Sequence, residues 1–198
     1  MSLLLEEKKS ILSKDIDEIY NEDLLGSHAF CFGDIPTVES IKKYDSFKIS
    51  VANLLGVHKN DINIFGSAKI GYSLNPEKEL KDFNEDSDID IAIVSSNIYR
   101  TFRDAYLEEF YSGRFKYYKH KQVTSAIFRK FIIFDGFSEK NSEYRNWLEK
   151  TGEFEAIIQL EYELNNEINY RIFETWDAVE YYYKKSINEC KVKFCENN

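Results

Sequence analysis

Seven residues near the middle of the chain, Asp88-Ile89-Asp90-Ile91-Ala92-Ile93-Val94, constrain the fold more than any others. β-Branched residues dominate them and favour extended backbone, because a branched Cβ packs well on a pleated surface and is restricted in a helix. The run alternates at its start and is wholly apolar at its end, the pattern of a strand. A second apolar burst, Ile62-Asn63-Ile64-Phe65, stops abruptly at Gly66-Ser67 and reads as another strand, with Gly66 permitting a sharp turn or a close backbone approach.

Around these two runs the spacing predicts mostly helix. Leu3, Leu4, Ile11, Leu12, Ile16 and Ile19 recur at helical intervals among charges, and a loop follows over 21–34 with Gly26 and Gly33. Thr37 is suited to cap a helix over Val38–Leu55 that Gly56 stops. Residues 75–87 are polar, contain Pro76 and read as a loop long enough to be mobile. A helix is expected over Asn97–Phe110, and a further apolar burst, KFIIF, precedes the turn Asp135-Gly136. Ser142 to about Tyr162 reads as a helix, although its tail QLEYEL also alternates like a strand. Asn169–Phe173 reads as a strand after the Asn165-Asn166 turn, and Thr175 caps a closing helix from Trp176 to about Lys193. The expected organisation is one domain over 1–198, with a helical part at 1–60, a sheet and helices at 61–174 and a closing helix at 175–198.

Composition removes several classes of function. No run of 18 or more apolar residues is present, so no membrane-spanning helix is expected, and the N-terminus lacks the basic start and apolar stretch of a signal peptide. These features point to a cytoplasmic protein. Cys31, Cys190 and Cys195 match no zinc spacing, and His28, His58 and His120 are scattered. The net charge of −9 argues against tight binding of duplex nucleic acid, whose affinity rests on phosphate neutralisation by cations. It does not argue against use of a nucleotide, since bound Mg²⁺ reverses the local sign.

Chemistry concentrates in the two strands. Side chains at i and i+2 of a strand share a face, so Asp88 and Asp90 lie together while Ile89 and Ile91 point into the core. Adjacent carboxylates repel unless a cation lies between them, and hard oxygen donors suit Mg²⁺ or Mn²⁺. The Gly66-Ser67 turn offers backbone N–H groups and a hydroxyl to phosphate oxygens, and Lys69 lies near enough in sequence to add charge to the same phosphates. Taken singly, a DxD is most often a pair of solvated acids and a Gly-Ser is most often a turn. Their order, each on its own strand, is the sharper signal.

The residues IFGSAKIGYS followed by DSDIDIAIV resemble the signature of the polymerase-beta-like nucleotidyltransferase superfamily. The likeness covers residues 62–94 and, more loosely, 168–173. It implies an α+β fold, a mixed β-sheet flanked by helices with N- and C-terminal helical additions. It also implies transfer of a nucleoside monophosphate from an NTP or dNTP to a hydroxyl with release of pyrophosphate, Asp88 and Asp90 holding Mg²⁺ or Mn²⁺. Gly66, Ser67, Lys69, Asn169 and Arg171 would bind the nucleotide. The closest overall look is to small stand-alone bacterial nucleotidyltransferases, including those of defence and toxin–antitoxin loci. The acceptor hydroxyl would belong to an oligonucleotide, a protein or a small molecule.

One departure from that pattern concerns the third acid, which a later strand usually brings to the metals. Here Ile168-Asn169-Tyr170-Arg171 puts the amide of Asn169 in that place, and an amide is a poor base. Glu161 or Glu163 supplies the missing carboxylate if QLEYEL is a strand beside NYRIF; Asp135 is the candidate if the alignment differs; otherwise the site works with two acids or is degenerate. Arg171 would contact a phosphate or Asp90, or form no more than a surface ion pair. Tyr117-Tyr118 and Tyr181-Tyr182-Tyr183 are candidates to stack a base, though tyrosines at helical spacing usually serve the core or its rim. The reading from a different class is a degenerate nucleotide-binding or antitoxin-like regulatory module that acts by binding a partner protein. A homo-oligomer or a cognate partner is compatible with the abundant aromatic surface.

Overall fold

The computed structural model describes residues 5–196; Leu3 and Leu4 of the expected first helix lie outside them. It is an α+β fold, 62% helical, with a small mixed sheet of four strands flanked by helices. The chain begins with α1 (Leu5–Ser13) and α2 (Ile16–Glu18), the latter widening into a broader helical turn at Ile19–Leu24. Then come α3 (Val38–Leu55), β1 (Ile62–Phe65), α4 (Ser67–Ile70) and β2 (Ile89–Val94). The second half contributes α5 (Ser96–Tyr111), α6 (His120–Phe128), β3 (Phe131–Ile132), α7 (Ser142–Tyr162), β4 (Ile168–Phe173) and α8 (Trp176–Lys191).

Local chemistry accounts for the boundaries. Thr37 accepts from Ser40 N–H while the Ser40 hydroxyl accepts from Thr37 N–H, a reciprocal cap at the predicted start of α3. Gly56, at φ 68°, ends that helix in the left-handed conformation. Thr175 caps α8 through Ala178 N–H, also as expected. The KFIIF burst yields only a two-residue strand: Lys130, at a positive φ of 61°, precedes it, and the pairing with β4 covers only Phe131 and Ile132. The tail QLEYEL remains helical through Tyr162, so its alternation is not that of a strand.

Strand order is β1-β2-β4-β3. β1 and β3 run antiparallel to their neighbours, and β2 and β4 are parallel along six residues. Successive side chains of each strand face opposite sides, which sorts the core into two layers. Ile62, Ile64, Ile89, Ile91, Ile93 and Ile172 pack with Tyr44, Phe47 and Val51 of α3, Phe102 of α5 and Trp147, Phe154 and Ile158 of α7. Phe65, Ala92, Phe131 and Phe173 face the other way, onto Val179, Tyr183 and Ile187 of α8 and Leu12, Ile19 and Leu24 of the N-terminal helices. Among the described residues no helix is long and apolar enough to cross a membrane.

Residues 75–87, expected to be a mobile loop, are tied down together with the residues just before them. Tyr72 bridges to Asp82, Ser73 N–H donates to Lys81 C=O, and Phe83 N–H donates to Gly71 C=O. Leu80 is 2% exposed in the site-side core. The Lys8 ammonium donates to Leu80 C=O at 3.0 Å and pairs with Asp82, fixing the segment to α1. Buried apolar anchors of this kind oppose the mobility that length alone suggests.

Candidate functional site

The register brings the two motifs together. Phe65 of β1 stands opposite Asp90 of β2, and Asp90 stands beside Asn169 of β4. Gly66 then turns at φ 69°, ψ −153°, a conformation that is essentially restricted to glycine. A Cβ there would lie 2.9 Å from Asp90 Oδ2, so the absent side chain is the space the carboxylate occupies. The chain enters α4 at Ser67, with Lys69 N–H donating to Gly66 C=O and Gly71 N–H to Ser67 C=O.

Asp90 and Asp88, just before the first residue of β2, line a cavity of about 670 Å³ with Gly66, Ser67, Asn169 and Arg171. Segment 73–88 closes one side and Tyr182, Tyr183, Ser186 and Glu189 of α8 close another. Burial raises the pKa of Asp90; Arg171 pulls it down, Asp88 pushes it up and Lys78 pulls it down, leaving a net increase. That is the shift of a carboxylate whose loss of water on burial outweighs the pull of the cations beside it. A divalent cation fits it, because the donors at hand are hard oxygens: two carboxylates with the amide oxygen of Asn169 in the next strand.

Arg171 faces the same layer from the position beside Ala92, whose small side chain leaves room for it. Its guanidinium lies 4.8 Å from the Tyr182 ring centroid and 5.6 Å from that of Phe131. Burial opposes its charge, but Tyr183, Tyr182 and Asp90 outweigh the burial and leave its pKa above the ordinary arginine value. Its buried Nε has no hydrogen-bond partner among the described residues. A buried donor left open beside a cavity is suited to an anionic oxygen.

Three expected site residues lie elsewhere. Lys69 is 2% exposed and turned away: its ammonium donates to Gly26 C=O at 2.5 Å and sits 4.5 Å from the Tyr44 ring centroid. Residues two apart on a helical turn do not share a face, so Ser67 at the cavity puts Lys69 on the opposite side. The lysines that line the cavity are Lys78 and Lys81. Glu161 lies in the last turn of α7, and Glu163 follows it at a positive φ of 56°. Both are exposed, and the intervening Tyr162 packs on Phe32 and Phe47, in the core layer on the far side of the sheet from Asp90. The alternative acid, Asp135, is held by Lys119 and Gln122 outside the cavity. Among the described residues no group of three or more His, Cys, Asp or Glu is arranged to hold a metal, which leaves Asp88 and Asp90 as a pair with Asn169 in the third place.

Two contributors were not anticipated. Asn166 Nδ2 donates to the carbonyls of Asn84, Glu85 and Ser87 at 3.0, 3.4 and 2.8 Å, clasping the turn that delivers Asp88. Ser186 and Glu189 extend Tyr182, already a candidate within the tyrosine run, into one stripe of α8 toward the cavity, a spacing of four and three residues that the sequence does carry. Of the tyrosine run, Tyr183 is buried and stacks on Phe65 with centroids 3.8 Å apart, which makes it a core residue. Compared with known proteins, the chain matches no family model, no curated protein and no solved structure.

Proposed function

We propose that the protein is a metal-dependent nucleotidyltransferase of the polymerase-beta-like type. The observation that carries the reading is the line of Phe65-Gly66, Asp90 and Asn169 across three adjacent strands, with Gly66 turned beneath the Asp90 carboxylate. Asp88 and Asp90 would hold Mg²⁺ or Mn²⁺, which when bound neutralises charge on the triphosphate and its leaving group. The Ser67 hydroxyl and the open Nε of Arg171 bind phosphate oxygens. An acceptor hydroxyl oxygen bonds to the α-phosphorus as the bond from that phosphorus to the β-phosphate's bridging oxygen breaks. The electron pair leaves with pyrophosphate and the hydroxyl proton passes to water, since the amide of Asn169 accepts none.

The test is incubation of the protein with each labelled NTP and dNTP, with Mg²⁺ or Mn²⁺ and candidate acceptors. Pyrophosphate release by the wild type and its loss by at least ~10²-fold in Asp88→Ala and Asp90→Ala is expected, since removing a major electrostatic contributor costs that much. Asn169 supports a second reading, a nucleotide-binding module without turnover. Saturable Mg²⁺–triphosphate binding with no pyrophosphate from any combination would favour that module and sink the enzyme.

A further inference from the structure

Beside the site lies a second cavity, of about 540 Å³, lined by Phe128, Arg129, Lys130, Tyr181, Tyr182 and Lys185 among others. It shares Tyr182, Ser186 and Glu189 with the first, so these three α8 residues form the wall between them. Arg129 lies 4.8 Å from the Phe131 ring centroid and 5.8 Å from that of Tyr182. The same two rings carry Arg171 on the side of the first cavity. One guanidinium therefore stands in each cavity about a shared aromatic pair.

The rim of the second cavity sets two open rings among charged side chains, the cations Arg129, Lys130 and Lys185 and the acids Asp177 and Glu189: Phe128 is 87% exposed and Tyr181 is 78% exposed. Rings left this open carry no part of the core and offer faces on which a planar group stacks. The charge around them departs from the rest of the molecule. Between residues 113 and 134 there is no Asp or Glu, while Arg114, Lys116, Lys119, Lys121, Arg129 and Lys130 all fall in that interval of a chain whose net charge is −9. Arg114, Lys119 and Lys130 pair with Glu109, Asp135 and Glu174, and Lys185 pairs with Glu189 at 3.5 Å. Lys116, Lys121 and Arg129 have no carboxylate partner among the described residues. Tyr117 and Tyr118, 74% and 80% exposed, lie between Lys116 and Lys121 in the turn that leads into α6, Tyr117 with one face stacked on His120.

Exposed rings interleaved with unpaired cations suit unpaired bases on a phosphate chain, and they suit an acidic peptide or a duplex less well, because neither offers free base faces. We propose that the second cavity and the α6 edge leading to it form the acceptor site, taking the 3′ end of a single-stranded nucleic acid whose terminal base stacks at Phe128 and Tyr181 and whose phosphates meet Arg129 and Lys185. The proposal rests on the nucleotidyltransferase reading. It names the acceptor that reading leaves open: the strand's terminal hydroxyl crosses the Tyr182 wall to the α-phosphorus, and the atom balance is the one given above. An acidic protein with a basic aromatic edge would hold such a strand weakly and salt-sensitively, compatible with release after each addition.

The test is binding of fluorescein-labelled single-stranded RNA and DNA of about ten nucleotides, within the usual span of such sites, read by anisotropy at two salt concentrations. The wild type, Phe128→Ala, Tyr181→Ala, Arg129→Ala and Asp88→Ala/Asp90→Ala are compared. Phe128 and Tyr181 are exposed, so their variants are expected to fold. Each ring removed should weaken binding roughly tenfold, and Arg129→Ala should also flatten the salt dependence. The double aspartate variant should bind the strand as the wild type does, while Mg²⁺–NTP affinity should be unchanged in Phe128→Ala and Tyr181→Ala. No binding by the wild type, equal binding by the ring variants, equal affinity for a mononucleotide, or preference for the duplex would each overturn the proposal, whatever the pyrophosphate assay shows. Strand binding that follows the ring variants, with no NTP turnover by the wild type, would overturn the acceptor role and the enzyme reading together.

Discussion

Gly66 is under two constraints at once, a backbone conformation that L-residues avoid and a carboxylate 2.9 Å from where a Cβ would be. Gly66→Ala is therefore expected to cost about 1–3 kcal/mol of stability, read by urea denaturation, and to displace Asp90. An unchanged midpoint would mean that the turn relaxes without strain. The close approach was legible in the sequence, because an apolar strand ending on Gly-Ser before a DxD strand has few other uses. The direction of Lys69 was not, since one helical turn decides it and its buried partners, Gly26 and Tyr44, are distant in sequence. Burial, with Lys48 adding to it, pushes the Lys69 pKa down from 10.5 to about 7. Above 10.5 the group is neutral in both states. As pH falls below 10.5 the unfolded chain takes up the proton and the folded chain resists until about 7, so folding loses free energy across that window and regains it as pH rises. Wild-type stability minus that of Lys69→Met should accordingly climb from pH 7 to pH 10, followed by urea midpoints. A difference independent of pH would show that Lys69 keeps its ordinary pKa.

Between elements, the site depends on how two segments are delivered to the strands. Asn166, in the turn before β4, holds the carbonyls of Asn84, Glu85 and Ser87 and so sets where Asp88 leads into β2. Asn166→Ala should lose about 1 kcal/mol, the net worth of a typical hydrogen bond. Amide exchange should quicken over residues 84–88 while staying unchanged in α3. If the enzyme reading holds, half-saturation by Mg²⁺ should rise several-fold with little change in the rate at saturating metal. Equal exchange in the two proteins would mean that the turn is held by its own Asn84–Ser87 bonds. Such clasps cannot be read from local pattern, because the donor and its acceptors lie about eighty residues apart. By contrast, the extent of α3 and the caps Thr37 and Thr175 were readable, since a cap acts within four residues. The tail of α7 misled for the opposite reason: QLEYEL satisfies both periods, and the packing of Tyr162 on Phe32 and Phe47 selects the helix.

At the scale of the molecule, the sheet is a wall shared by two apolar layers. Ile91 faces α3 and α7 while its neighbour Ala92 faces α8, so neither layer can leave without uncovering strands that also serve the other. A chain of 198 residues is long enough that a single transition is not guaranteed by size. The parallel β2–β4 pairing, six residues long and central to both layers, is the reason to expect one here. The two tryptophans allow a direct check, because Trp147 is buried in the layer opposite the site and Trp176, at the start of α8, packs against the site-side layer. Trp176→Phe leaves a reporter for the first layer and Trp147→Phe leaves one for the second. Each variant is unfolded in urea and followed by both tryptophan fluorescence and far-ultraviolet circular dichroism, so that any loss of stability caused by the substitution is common to the two signals. The two curves should coincide within each variant. A Trp176 transition that precedes the loss of secondary structure would mean that α8 peels away first, carrying Tyr182, Ser186 and Glu189 with it. The wall between the two cavities would then be a separable element, and the rigidity assumed for the site would rest on the strands alone.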